Sequence, residues 1–200
     1  LSLTATGPRS KFKAVTIGVS TGGPATLMEV LPKLPPNLPA AVFLVQHMPA
    51  SFMSTFAVRL GRACSLRVVE AKAGMAVEAG VCYVAPGGLH LCLSYDRLTG
   101  SPVIRTPDRR ATMFMPSVSV MMASVRETFG ADTVGVLLTG IGNDGVDEML
   151  ALHRAGCHTI AESQESAVVY GMPRQVIDRG AAKVVAPSWD IARHIIRAVE

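Results

Sequence analysis

Short apolar runs alternate along this chain with stretches of helical periodicity, a pattern that few folds other than a helix-covered sheet accommodate. Residues 14–19, AVTIGV, and 41–46, AVFLVQ, are apolar at nearly every position rather than at every second one. Such strands are buried on both faces, as in a parallel sheet. The pattern predicts an open, doubly wound, mostly parallel α/β sheet flanked by helices. In such sheets, ligands bind at the carboxyl ends of the strands.

Helix and turn signals divide the rest of the chain. Ser117 is predicted to cap a helix that ends at Gly130, and a further helix is expected over residues 144–155. Residues 89–94 and 101–106 are short β-prone runs joined by a turn. We expect them to form an antiparallel hairpin attached to the main sheet.

Length and composition favour one globular domain. The chain has 200 residues, of which 49% are hydrophobic and 17% charged, enough to bury a core without a metal or disulfide. Its apolar runs are far shorter than the roughly 20 residues that span a bilayer, and it shows no signal peptide. We therefore expect a cytoplasmic protein without membrane insertion. Residues 1–12 are small and polar, which predicts a linker remnant before a folded domain at 13–200.

Charge and cysteine usage exclude further classes. The net charge of +4 is dispersed and aromatic residues make up only 5%, which argues against a nucleic-acid partner. Four cysteines, Cys64, Cys82, Cys92 and Cys157, lack metal-binding spacing and lie in apolar stretches. We expect small buried side chains there, and neither a zinc site nor a disulfide.

Three glycine-rich or polar stretches follow predicted strands. They are G-V-S-T-G-G at 18–23, Q-H-M-P at 46–49 and G-I-G-N-D-G at 140–145. The first fits G-x-S-x-G, a turn that presents a serine nucleophile, here Ser20. Two alternatives remain open: Ser20 caps the following helix, or the glycines cradle an anion or nucleotide phosphate.

A serine nucleophile needs a base and an orienting carboxylate. Among the histidines, His47 lies at the end of a predicted strand and His90 at the start of the predicted hairpin, and position favours His47 without excluding His90. Asp144 is the candidate carboxylate, although an acidic residue at a helix start also stabilises its own helix. Amides of the glycine-rich turns are candidates for an oxyanion hole.

Taken in this order, the motifs I-G-x-S-T-G-G, Q-H-M-P and L-T-G-x-G-N-D-G resemble the catalytic domain of CheB, the bacterial chemotaxis protein-glutamate methylesterase family. Further matching stretches, such as Y-V-A-P-G at 83–87 and V-V-Y-G-M-P-R at 168–174, extend the resemblance over residues 13–199. The order Ser, His, Asp also differs from that of α/β-hydrolases, so a Rossmann-like sheet is expected instead.

The resemblance implies roles for individual residues. Ser20 matches the family's nucleophile, His47 its general base and Asp144 the carboxylate that orients the histidine. A backbone amide at Ile141 matches the oxyanion hole, and Thr21 the threonine that helps hold the histidine. The implied activity is demethylation of glutamate γ-methyl esters, and deamidation of glutamines, on cytoplasmic helices of chemoreceptors. The alternatives are an esterase of another substrate class and an anion- or nucleotide-binding α/β module.

The chain departs from the family pattern at two places. Ile141 stands where methionine is expected, and residues 113–119, M-F-M-P-S-V-S, lack the arginine and acid of the family's R-P-S-V-D. The second difference bears on receptor recognition more than on chemistry. The resemblance also implies a phosphorylatable receiver domain before the catalytic one. Since none is present in this chain, we expect a catalytic fragment with an accessible site.

Overall fold

The described part of the chain contains nine strands, seven of which form one parallel sheet. The computed structural model describes residues 12–108 and 112–200. The strands are β1 (Lys13–Val19), β2 (Ala40–Gln46), β3 (Arg67–Glu70), β4 (Val81–Val84), β5 (Cys92–Tyr95), β6 (Pro102–Arg105), β7 (Thr133–Leu137), β8 (His158–Glu162) and β9 (Val184–Ala186). The large sheet has the order β3-β4-β2-β1-β7-β8-β9, with every pairing parallel. The predicted open parallel sheet is confirmed.

Helices cover both faces of this sheet. They are α1 (Gly23–Val30), α2 (Ala50–Ala63), α3 (Val118–Phe129), α4 (Val146–Arg154), α5 (Met172–Asp178) and α6 (Ser188–Val199). Along β2, Val42 and Leu44 face one core with α1, α2 and α6, whereas Phe43 and Val45 face a second core with α3, α4 and α5. Because both faces of each central strand are buried, its sequence shows no alternation.

Local signals explain where two of the helices begin. Pro24 lies in the first turn of α1, where its fixed φ suits a helix and its missing N–H has no partner to lose. Ser117 caps α3, since its Oγ accepts a 3.3 Å hydrogen bond from the amide of Val120. The same helix ends at Gly130, as predicted.

The predicted hairpin is confirmed as the antiparallel pair β5 and β6, but it forms its own two-stranded sheet. It is attached to the rest of the domain through α3. The Leu93 amide donates a 2.6 Å hydrogen bond to Ser124 Oγ, and the Tyr95 hydroxyl donates one of 2.7 Å to the Thr128 carbonyl. Backbone hydrogen bonds between β6 and residues 74–77 also hold the hairpin, among them Gly74 N–H to the Ile104 carbonyl at 2.9 Å and Val77 N–H to the Pro102 carbonyl at 3.1 Å.

The edge strand β3 was not predicted from the sequence. It is four residues long, is partly exposed and pairs in parallel with β4. Only two valines lie between the charged residues Arg67 and Glu70, so the strand shows neither alternation nor a continuous apolar run.

One predicted boundary lies almost entirely outside the described residues, and another differs from the structure. The predicted linker falls on residues 1–11, which lie outside the described residues, and on Phe12, whose ring centroid is 5.9 Å from that of Phe129. The helix predicted over 144–155 begins instead at Val146, after Gly145 in a left-handed conformation with a φ of 91°. Asp144 is thus left outside its helix, in the preceding loop.

Three of the four cysteines are buried and the fourth, Cys64, is partly exposed, and none of them forms a disulfide within the described residues. Within residues 12–108 and 112–200, no helix is both long and apolar enough to cross a membrane.

Candidate active site

The sheet order brings the three motifs together at one edge. Strand β1 lies between β2 and β7. The strands before α3 extend the sheet on one side of β1 and the strands after α3 extend it on the other, which makes this a topological switch point. The Ser20 amide donates a 2.9 Å hydrogen bond to the Thr139 carbonyl, and the His47 amide donates one of 3.0 Å to the Val19 carbonyl. Ser20 therefore lies between the loop that carries His47 and the loop that carries Asp144.

Ser20 is buried at the end of β1 and does not cap α1. The N-cap of that helix is Gly22, with a φ of 85°, and no side chain caps it. Within the described residues, Ser20 Oγ makes no hydrogen bond. A Cβ added at Gly140 would lie 2.7 Å from the Ser20 Cβ, so the close approach of the β7 loop requires glycine there. The helix-cap alternative for Ser20 is therefore wrong.

Gln46 ties the backbone of the two neighbouring motifs together. This buried side chain donates hydrogen bonds through Nε2 to the carbonyl of Ser20 at 2.9 Å and to that of His47 at 2.8 Å. It fixes the spacing between the serine turn and the histidine turn.

The histidine and the aspartate form a buried pair. His47 Nε2 lies 2.8 Å from Asp144 Oδ2, and both side chains are less than a tenth exposed. His47 Nδ1 is also buried and has no partner among the described residues. With Nε2–H donating to the carboxylate, Nδ1 carries the free lone pair and is the ring atom that can accept a proton.

The Asp144 carboxylate is held by α3, not by its own helix. Its Oδ1 accepts hydrogen bonds of 2.9 Å from both the Ser117 hydroxyl and the Ser119 amide, and Oδ2 accepts one of 2.7 Å from the Val118 amide. The interpretation of Asp144 as a cap of the following helix is wrong. Asn143 does not supply a side-chain cap there either.

These contacts keep the carboxylate charged. Burial alone would raise the pKa of Asp144, but hydrogen bonds from His47, Ser119 and Val118 outweigh it and lower the pKa to about 2. A fixed negative charge beside His47 stabilises an imidazolium whenever the ring accepts a proton.

His90, the alternative histidine, has a different place. It is fully buried, and its Nδ1 accepts a 3.2 Å hydrogen bond from the Ser117 amide. Its Nε2 lies 3.4 Å from Thr112 Oγ1. His90 therefore supports the segment before α3, while His47 is the ring bonded to Asp144 through Nε2. Spacing in the sequence could not separate the two, because each lies next to the end of a predicted strand.

Thr21 and Ile141 lie beside the serine turn. The Thr21 side chain is exposed, and in the described part of the chain it makes no hydrogen bond to His47, while its carbonyl accepts one of 2.9 Å from Thr139 Oγ1. The Ile141 amide likewise has no hydrogen-bond partner among the described residues, and the side chain points to solvent, 61% exposed. Their expected roles in holding the histidine and binding an oxyanion stay predictions.

Sequence reasoning missed Phe114. Its ring stacks on that of His47, with centroids 4.3 Å apart and an interplanar angle of 9°. The stack covers one face of the imidazole and restricts its rotation. An aromatic between two methionines carries no local signal for this contact, which depends on how the segment before α3 folds over the site.

A buried glutamate behind the serine turn was also missed. Glu162 Oε2 accepts a 2.7 Å hydrogen bond from the Thr139 amide, and Oε1 accepts one of 2.8 Å from the Ser166 hydroxyl. The carbonyl of the same Thr139 holds the Ser20 amide. Burial raises the pKa of Glu162, despite the lowering effect of the bonds from Ser166 and Thr139. The residue anchors the backbone on which Ser20 rests.

The described residues contain no group of three or more His, Cys, Asp or Glu side chains arranged to hold a metal ion. The site has instead the parts of nucleophilic catalysis: a hydroxyl, a ring nitrogen with a free lone pair and a fixed carboxylate.

Comparisons with known proteins point to one family. The family model described as CheB methylesterase matches residues 15–195. A protein-glutamate methylesterase/protein-glutamine glutaminase of Syntrophomonas wolfei is 52% identical over 191 residues, which cover 96% of this chain and 54% of that protein. One of Caldanaerobacter subterraneus is 47% identical over 187 residues, 92% of this chain and 51% of that protein. The chain thus spans about half the length of these curated relatives.

A solved structure has the same fold. The crystal structure of the Thermotoga maritima CheB methylesterase catalytic domain superimposes with a TM-score of 0.91 at 37% identity, and the match covers 95% of this chain and all of that one. Fold, sequence and the order of the three motifs lead to the same conclusion: the chain belongs to the CheB methylesterase family.

Proposed function

We propose that this domain is a cytoplasmic serine hydrolase that removes methyl groups from glutamate γ-methyl esters of chemoreceptors. The observation that carries the proposal is the buried His47–Asp144 pair, 2.8 Å apart, beside Ser20 and with Nδ1 of the histidine unpartnered. The names of the relatives supply the substrate class, protein glutamate esters and glutamines.

In the proposed acylation, Ser20 Oγ attacks the ester carbonyl carbon while His47 Nδ1 takes the hydroxyl proton. The charged Asp144 stabilises the imidazolium through the bond to Nε2. The carbonyl oxygen becomes an oxyanion, for which the Ile141 amide is the proposed donor. Collapse of the tetrahedral intermediate breaks the bond to the methoxy oxygen, which leaves as methanol with the proton from Nδ1.

Deacylation repeats these steps with water. His47 Nδ1 accepts a proton from the attacking water and returns it to Ser20 Oγ as the acyl bond breaks, which releases the glutamate side chain. Glutamine deamidation differs only in its leaving group, ammonia in place of methanol. Neither reaction calls for a metal or cofactor in this scheme.

The partners in the proposal are chemoreceptors and a receiver domain. Because the chain matches about half the length of its curated relatives, those proteins have room for the receiver domain that the family resemblance implies. We propose that such a domain accompanies this one in the full-length protein and controls access to Ser20.

The experiment that tests the function measures methanol released from a methylated chemoreceptor by the wild-type domain and by Ser20→Ala. Ser51→Ala, at an exposed serine in the first turn of α2, is the matched control. We expect release by wild type and Ser51→Ala, none by Ser20→Ala, and labelling of Ser20 by a serine-directed fluorophosphonate. A folded wild-type protein that neither releases methanol nor takes up the label would overturn the proposal.

Two alternatives give other outcomes in the same experiment. An esterase of another substrate class would be labelled at Ser20 and cleave small esters but leave the methylated receptor intact. An anion- or nucleotide-binding module would take no label, and a nucleotide would raise its melting temperature.

A further inference from the structure

Exposed apolar side chains are concentrated around the site. Four of them, 60% to 90% exposed, lie on the segments that follow β2, precede α3, follow β7 and follow β8: Phe52, Met113, Ile141 and Val168. We call these four residues the apolar rim. Single exposed apolar residues are ordinary on protein surfaces, but a cluster of them around a cleft marks an interaction surface.

Contacts on two sides link the rim to the proposed triad. Val168 lies on the serine turn, since a Cβ added at Gly22 would be 2.5 Å from the Val168 Cβ. Ile141 follows Gly140, which approaches the Ser20 Cβ closely.

On the histidine side, Met113 precedes Phe114, whose ring stacks on His47. Phe52 lies in the first turn of α2, where its amide bonds the Pro49 carbonyl at 3.0 Å, just after the histidine motif.

The geometry of the reaction brings the substrate chain to this rim. A glutamyl ester places its carbonyl carbon only three carbon–carbon bonds, each about 1.5 Å, from its own Cα. When that carbon reaches Ser20 Oγ, the main chain of the substrate must therefore lie against the surface around Ser20. Its neighbouring side chains then meet the rim.

We propose that the apolar rim binds apolar side chains that flank the reacting glutamate in the substrate protein. The proposal rests on the proposed esterase function and deepens it, because it assigns selection of the substrate to contacts outside the triad. Burial of about 50 Å² of apolar surface changes an equilibrium constant about eightfold, so even one such contact gives a measurable preference.

The test compares three substrates. One is a small ester, namely N-acetylglutamate γ-methyl ester N-methylamide. The other two are short peptides in which the glutamyl methyl ester is flanked by leucine in one and by serine in the other. For wild type, we expect kcat/KM to be about five- to tenfold higher for the leucine-flanked peptide than for the serine-flanked one. The double variant Met113→Ser/Val168→Ser should lose most of this preference and keep wild-type kcat/KM on the small ester.

Leu98→Ser is the matched control. Leu98 is 96% exposed in the turn between β5 and β6. That hairpin contacts Thr128 near the end of α3, whereas Asp144 binds the start of the same helix. The 12 residues of α3 make it about 18 Å long, which separates the two ends by that distance. This variant should retain the full preference for leucine.

Two results would overturn the rim proposal while the esterase function stands: equal rates on both peptides for wild type, or an unchanged preference in the double variant. A failure of the proposed function looks different, because wild type would then cleave neither of the two glutamyl ester peptides.

Discussion

The Asp144 carboxylate accepts a 2.7 Å hydrogen bond from the amide of Val118, the first residue of α3. The orienting charge of the proposed triad therefore lies at the positive end of a helix that begins 26 residues earlier in the chain. The helix supplies free amides that bind an anion, and the anion in turn holds His47. One helix end thus stabilises the carboxylate and fixes the direction in which it faces the imidazole.

Asp144→Asn should preserve the fold and nearly abolish activity. The asparagine side chain can no longer accept hydrogen bonds from all the donors around the carboxylate. Its NH₂ group would face His47 and favour the tautomer in which Nε2 is an acceptor. Loss of that orientation in a comparable triad costs about 10⁴-fold in kcat. Methanol release measures the loss, and circular dichroism checks the fold. Turnover within tenfold of wild type would show that Asp144 does not orient the base.

The stability of the domain should depend on Asp144 in acid. Because the pKa of Asp144 is lowered from 3.8 to about 2, its contribution is present above about pH 4 and is lost as the pH falls towards 2. The shift corresponds to about 2 kcal/mol. Urea unfolding of wild type and Asp144→Asn should show a difference at pH 6 that shrinks by about this amount near pH 2. A difference independent of pH would contradict the assignment.

Phe114→Ala should slow the reaction by freeing the His47 ring. The stacked pair, 4.3 Å between centroids, contributes about 0.5 to 1.5 kcal/mol, so we expect kcat on the small ester to fall about two- to tenfold. Phe114→Tyr retains a ring and should retain kcat, which separates stacking from general loss of packing. If alanine and tyrosine give the same kcat, the stack does not position the base.

Glu162 should matter as a hydrogen-bond acceptor rather than as a charge. Glu162→Ala leaves the buried Thr139 amide unpaired, at a cost of about 1 to 3 kcal/mol, and should lower kcat because that residue holds Ser20. Glu162→Gln keeps an acceptor oxygen and should keep kcat. Equal kcat for the alanine and glutamine variants would show that the contact does not position the serine.

The glutamine variant also tests the charge at this position. Since burial raises the pKa of Glu162, folding of the wild type loses a stabilising contribution as the pH rises through that pKa. Glu162→Gln has no such titration and should show a flatter dependence of its unfolding free energy on pH, measured from pH 4 to 8.

The sequence was sufficient to predict the sheet and the three motifs because each depends on local patterns. The runs 14–19 and 41–46 are apolar at successive positions because both faces are buried, and the polar residues after them must then share the carboxyl edge. Contacts between residues distant in the chain leave no local pattern in the sequence. The choice between His47 and His90, the stack of Phe114 and the anchor of Glu162 each depend on residues distant in the chain.

Asp144 shows the same limit of prediction from local sequence. An acid before an apolar helical pattern predicts a cap of that helix, whereas its bonds go to Ser117, Val118 and Ser119. Nothing within a few residues of position 144 indicates that another helix end lies there.

The separation of 97 residues between His47 and Asp144 also has a consequence during synthesis. The serine and histidine motifs leave the ribosome early, as part of the first two strands, while the carboxylate emerges only after β7. Until then, the growing chain carries a serine and an imidazole without the charge that would orient the ring. On the proposed mechanism, full hydrolytic activity therefore requires the sheet to be completed through β7, so that Asp144 can orient the His47 ring.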